Sequence, residues 1–158
     1  MWGISLAAAT LIGGAVAIVT LFPRVTISAS DPVVANDPFS SSVTITNTGY
    51  IPLRSVYATI RIQKIMAGTR GLGGPDGYTS GLAPGLWGIH DLSVDDRFTV
   101  SLEDVLTTDK NGIDSADIAI GVSYEIPYIH WRREKVFPLI ARKEKDDRFH
   151  WYANSMPK

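Results

Sequence analysis

Two patterns of apolar residues succeed one another along the chain. From Trp2 to Phe22 the run WGISLAAATLIGGAVAIVTLF contains no Asp, Glu, Lys, Arg, His, Asn or Gln, and its only hydroxyls are Ser5, Thr10 and Thr20. It has no polar stripe, which a helix lying on a soluble core would carry. Wound as an α-helix, it extends roughly 31 Å at about 1.5 Å per residue, close to the hydrocarbon thickness of a bilayer. Its hydroxyls can bond to carbonyls of the preceding turn, so none need face lipid alone. Trp2 at one edge, and Phe22 with Arg24 at the other, suit the two membrane interfaces, and Pro23 stops the helix. The expectation is a transmembrane anchor over residues 1–23, followed by one domain over 24–158.

A cleavable signal peptide is the alternative. It normally has a basic start and a shorter apolar core; no Lys or Arg precedes this run, although Ser28-Ala29-Ser30 offers small residues for cleavage. Ala9, Gly13 and Ala17 recur at four-residue spacing, as on closely packed membrane helices, and also as expected of any helix rich in small residues. Arg24 alone favours a cytoplasmic domain, but long domains cross largely regardless of charge, and an extracytoplasmic domain is expected.

From Arg24 onward the period becomes two. Val25, Ile27 and Ala29 alternate with Thr26, Ser28 and Ser30, and Val43 and Ile45 with Thr44 and Thr46. In SVYATIRIQK, Val56, Ala58, Ile60 and Ile62 oppose Tyr57, Thr59, Arg61 and Gln63, which predicts a strand with one face in a core and one in water. Phe98, Val100 and Leu102 form a further apolar set. So do Ile118, Ile120, Val122 and Tyr124, with Ala119, Gly121 and Ser123 opposite them. KVFPLIAR is apolar on both faces, but Pro138 lacks a ladder donor and marks an edge or bulge. RFHWY pairs with it across the charged turn KEKDD, and Glu103–Leu106 fits a single helical turn. About seven short strands with Gly/Pro turns and no long amphipathic helix predict an all-β, immunoglobulin-like β-sandwich behind the single N-terminal transmembrane helix.

Composition narrows the function classes. The chain has 158 residues, a formal net charge of -1, and 45% hydrophobic and 20% charged residues. That is a folded composition without the bulk positive charge of a nucleic-acid coat, so no nucleic-acid partner is expected. Without cysteine there is no disulfide framework, thiolate metal site or cysteine nucleophile.

The segment DPFSSSVTITNTGYIPLRSVYATIRI resembles the opening strands of bacterial immunoglobulin-like modules of the cell-adhesion-related (CARDB-like) type, on the strength of Asn47, Gly49, Pro52 and Leu53. Such modules have a strand ending in Asn-x-Gly, a short turn with an apolar residue, and then an alternating strand. Asn caps the turn, and Gly is expected to take a positive φ there. The resemblance covers mainly residues 37–63 and implies a sandwich fold with a role in adhesion or assembly.

Candidate chemistry is sparse. The glycine-rich stretch between Ile65 and Asp96 places Asp76 three residues after Gly73, where a phosphate-cradling loop needs glycine. A long loop of this kind suits a binding role, with Tyr78, Leu86 and Trp87 as partner contacts; the competing reading has Leu86 and Trp87 closing the core. In DKNGID, Gly112 is the fourth residue where an EF-hand needs it sixth, so Asn111-Gly112 reads as a tight turn. His90, His130 and His150 lack metal-pair spacing, and no nucleophile elbow occurs. No catalytic, metal or cofactor residue is expected.

Trp131 to Lys158 hold eight Lys/Arg against four Asp/Glu, whereas residues 24 to 130 hold seven against twelve. Trp131, Arg132 and Arg133 therefore join the candidate contacts, as an aromatic and cationic surface suited to anionic headgroups or sugars. Ordinary strand alternation accounts for the same pattern. The expectation is a non-enzymatic, membrane-tethered binding, adhesion or assembly module, in contact with lipid through its N-terminal helix and with a protein partner or its own copies. A pilin-like filament subunit or an accessory subunit of a membrane complex is the alternative.

Overall fold

The computed structural model describes residues 22–68, 70–72, 87–105, 112–127 and 129–154. Within them the fold is all-β, with nine strands: β1 (Val25–Ala29), β2 (Ser42–Asn47), β3 (Leu53–Ala67), β4 (Arg70–Leu72), β5 (His90–Leu92), β6 (Arg97–Ser101), β7 (Ser115–Ile126), β8 (Trp131–Lys143) and β9 (Phe149–Ala153). One sheet has the order β1-β2-β6. The other has the order β4-β3-β7-β8-β9, with β5 also on β3. Every pairing is antiparallel.

The alternating strands form where expected, because apolar side chains two residues apart emerge on the same face and two such faces exclude water together. Val43 and Ile45 of β2, Val56 and Ile60 of β3, Val100 of β6 and Ile118, Ile120 and Val122 of β7 are all fully buried in one core. Phe39 and Leu102 join them from the connections. Phe39 lies in a 3-10 turn at Pro38–Ser40, capped by the Asp37 side chain, whose Oδ1 accepts from the Phe39 amide at 2.9 Å. Glu103–Val105 forms a second 3-10 turn, where one helical turn is expected.

Three features differ from the sequence expectation. Nine strands replace about seven, because β3 continues to Ala67 and the short β4 and β5 pair along the edge of β3 opposite β7. β7 is buried on both faces, Ala119 and Ser123 included. Its outward residues are small, and Arg61 of β3 reaches Glu134 of β8 at 3.2 Å across them. Finally, Gly49 does not adopt a positive φ. Close approach excludes a side chain there instead, since a Cβ would lie 2.7 Å from the Arg24 amide nitrogen.

Pro138 sits where the ladder between β8 and β9 ends. Its carbonyl accepts from the Asn154 amide at 2.9 Å, so its ring nitrogen faces the same side, away from β7, and removes no bond from the central ladder. β1 exposes an unpaired edge, and Lys135 Nζ on β8 donates to the Val25 carbonyl at 3.0 Å, blunting it. Among the described residues no helix is long and apolar enough to cross a membrane. The apolar run expected to do so lies outside them, apart from Phe22.

Candidate functional site

The chain enters the domain at one end of the sandwich. There the start of β1, the turn after β2, the start of β3, the turn between β5 and β6, and the hairpin joining β7 to β8 come together. Asn47 organises this end. It is fully buried, its Oδ1 accepts from the Gly49 amide at 3.1 Å, and its Nδ2 donates toward the carbonyls of Ile51 (2.9 Å), Ser93 (3.0 Å) and Leu92 (3.3 Å). One side chain thus joins the turn after β2 to the lead-in of β3 and to the turn after β5. The entering segment is held from both sides, by the Thr48 amide donating to the Arg24 carbonyl at 2.9 Å and by Lys135 on the facing sheet.

The hairpin after β7 closes through Pro127 to His130, with Ile126 opposite Trp131. His130 takes a left-handed φ of 48°, and its Nδ1 lies 2.8 Å from Glu125 Oε1. This arrangement turns Ile129, 60% exposed, and Trp131, 52% exposed, outward. On β8 the Arg133 guanidinium stacks over the Trp131 ring at 4.0 Å and over the Phe22 ring at 5.1 Å. Burial raises the pKa of the nearby Tyr124 phenol, while the Arg133 charge pulls it the other way.

The structure therefore gathers Phe22, Trp131 and Arg133 into one cluster at the entry end, with Arg24 exposed next to Phe22 and Arg132 exposed on the other face of β8. Trp87 stands apart. It is half-buried and packs on the core, and its carbonyl contacts His90 Nε2 at 2.8 Å. Trp2, Tyr78 and Leu86 lie outside the described residues. Tyr50, 66% exposed in the turn after β2, and Ile129 belong to the entry end but escape a sequence reading. The only signal at each is an apolar residue inside a turn.

The opposite end carries a polar cluster. His150 Nδ1 lies 3.2 Å from Asp31 Oδ1, and its Nε2 lies 3.4 Å from Asp146 Oδ2. The hydrogen bond to Asp146, and then that to Asp31, raise the His150 pKa against the opposing effect of desolvation. The Arg148 amide, above all, lowers the Asp146 pKa. The Tyr152 hydroxyl donates to Glu144, and Lys143 pairs with Asp147 at 2.7 Å. Among the described residues no group of three or more His, Cys, Asp or Glu is placed to hold a metal ion. An open groove of about 340 Å³ runs between the β1 edge and β8–β9, lined by Ile27, Phe137, Leu139, Trp151 and neighbours, with no nucleophile set against a base. Its chemistry is apolar contact. No protein-family model, curated protein or solved structure matches the chain.

Proposed function

We propose that this chain is a non-enzymatic, membrane-tethered module: one N-terminal span over 1–23, then an immunoglobulin-like sandwich that presents its far end to a protein partner. The observation that carries the reading is the position of Phe22. The uncharged run ends there, and β1 begins only three residues later, with Pro23 and Arg24 between and no flexible linker. A segment that lipid satisfies thus runs directly into strands that satisfy one another.

The immunoglobulin-like assignment draws support from the strand partition. First, second and sixth strands share one sheet, while the third, seventh and eighth share the other. This is the division of an immunoglobulin sandwich with its A, B and E strands on one side and C, F and G on the other. The likeness of residues 37–63 to CARDB-like modules adds a role in adhesion or assembly. Tethering at the entry end leaves the Asp31–Asp37 segment and the turn between β8 and β9, among the described residues, at the end away from the bilayer, and these are the surfaces offered to the partner.

Alkaline carbonate extraction of native membranes tests the tether. The full chain is expected in the membrane fraction, and its release into the supernatant would overturn the reading. Purification in mild detergent with mass spectrometry then identifies the partner. Ordered filaments of the chain alone would replace the binding module with a structural subunit.

A further inference from the structure

We infer that the entry end of the sandwich is a docking surface for anionic lipid headgroups, centred on Arg133 between Phe22 and Trp131. The inference rests on the tethered reading and adds to it a fixed orientation: the domain lies with this end on the bilayer.

The geometry leaves little freedom. If the uncharged run spans the hydrocarbon, Phe22 marks its boundary, and the headgroup layer beyond is only roughly 5–8 Å thick on each side. The Arg133 guanidinium is 5.1 Å from the Phe22 ring, so it lies inside that layer together with Trp131. Arg and Trp both suit that layer, Trp through an apolar ring with a polar edge, Arg through a fork that binds phosphate oxygens in pairs.

Exposure and charge point the same way. Phe22, Tyr50, Val94, Ile129 and Trp131 all project apolar surface at this end. Arg24, Arg54, Arg97, Arg132 and Arg133 stand there against Asp91, Asp95, Asp96 and Glu125, and Asp91 accepts from the Ser55 amide at 2.9 Å. Glu125 faces His130, and Asp96 caps the Ser93 amide. Among the described residues no carboxylate forms an ion pair with Arg24, Arg54, Arg132 or Arg133, although Glu125 is the cross-strand neighbour of both Arg54 and Arg132. The opposite end is mixed, with Asp31, Glu144, Asp146 and Asp147 against Lys143, Lys145 and Arg148. An exposed Trp beside unpaired arginines, at the point where the chain leaves an apolar run, matches an interface belt better than a protein contact. A protein contact would be expected to supply the missing carboxylates from its own surface.

Because the chain lacks cysteine, single-cysteine spin labels report without background. The full chain carrying Ile129→Cys, or Val33→Cys at the opposite end, is placed in phosphatidylcholine nanodiscs with and without phosphatidylglycerol. Accessibility to dissolved oxygen and to a water-soluble nickel chelate is then compared. The label at 129 is expected to favour oxygen in phosphatidylglycerol discs and to return toward nickel at high salt. The label at 33 should favour nickel throughout. Each arginine removed should lower the docked-to-undocked ratio about fivefold. Arg132→Gln tests this outside the stacked cluster, should Arg133→Ala disturb the fold.

A chain that stays in the membrane with its 129 label open to nickel overturns the docking and leaves the tether standing. A chain released by carbonate whose 129 label still senses phosphatidylglycerol vesicles keeps the docking and overturns the tether. Equal docking on phosphatidylcholine alone overturns the anionic recognition. A label shielded from both reagents in every lipid marks a protein interface and overturns the inference.

Discussion

Removal of the Asn47 side chain offers the sharpest test of how the entry end is built. Its amide supplies two N–H donors to three carbonyl oxygens, and its oxygen takes one amide hydrogen, all where the residue is fully buried. Asn47→Ala therefore breaks three bonds' worth of pairing and takes from the buried Gly49 amide the acceptor it has in Asn47 Oδ1. At a net of about 1 kcal/mol each, the loss comes to about 3 kcal/mol, or a Tm lower by roughly 10 °C for a domain of this size. Asn47→Asp keeps the shape but sets a carboxylate against three carbonyls, which raises its pKa above the ordinary carboxylate value. A group with a raised folded pKa binds its proton more tightly in the folded state. Asn47→Asp must then lose stability relative to the parent as pH rises from about 4 toward its folded pKa. Urea denaturation followed by circular dichroism from pH 4 to 8 measures both. A loss below about 1 kcal/mol for Asn47→Ala, with a pH-independent deficit for Asn47→Asp, would refute the claim that this residue holds the three turns together.

Gly121→Ala should destabilise the domain by about 1–3 kcal/mol, because the new methyl meets Thr59 Oγ1 at 2.5 Å and Glu134 Oε1 at 2.6 Å. Glu134 can swing away but branched Thr59 cannot, so Thr59→Ala should recover most of the loss in a double-mutant cycle; additive losses would exclude the clash. His150→Asn probes the far end. The raised pKa of His150 means its stabilising contribution is fully present below the ordinary histidine value of 6.5 and disappears as pH rises past the folded value. The parent should therefore exceed the variant in urea midpoint at acid pH and converge with it at alkaline pH. A constant difference would show that packing, not charge, explains the residue.

The strands most legible in the sequence are those with one wet face. β2 and β3 alternate because water covers one side and core the other, and that asymmetry is written directly into residue order. β4 and β5 have only three residues each, too few to display a period, and exist because β3 offers them an edge. The double burial of β7 follows from contacts at long range. Nothing local says that Arg61 and Glu134 will close over Gly121. At the entry end, Trp131 and Arg133 stand out as an aromatic interleaved with cations, yet Phe22 joins them from the segment leading into β1, over a hundred residues earlier, and sequence spacing carries no trace of that meeting. The turn at Asn47 and Gly49 is legible as a turn, whereas its reason is tertiary: glycine is needed because the Arg24 backbone passes too close.

That close passage also bears on how the domain is mounted. Only Pro23 and Arg24 separate the apolar run from β1, with none of the Gly/Ser residues of a flexible linker between them. Proline fixes one of its dihedrals, Thr48 and Gly49 clamp Arg24 from one sheet, and Lys135 and Arg133 hold Val25 and Phe22 from the other. Both sheets therefore grip Arg24 and Val25, and lifting this segment off the sandwich breaks hydrogen bonds to each of them. The packing that closes the core thus also fixes Phe22 to Val25 against both sheets.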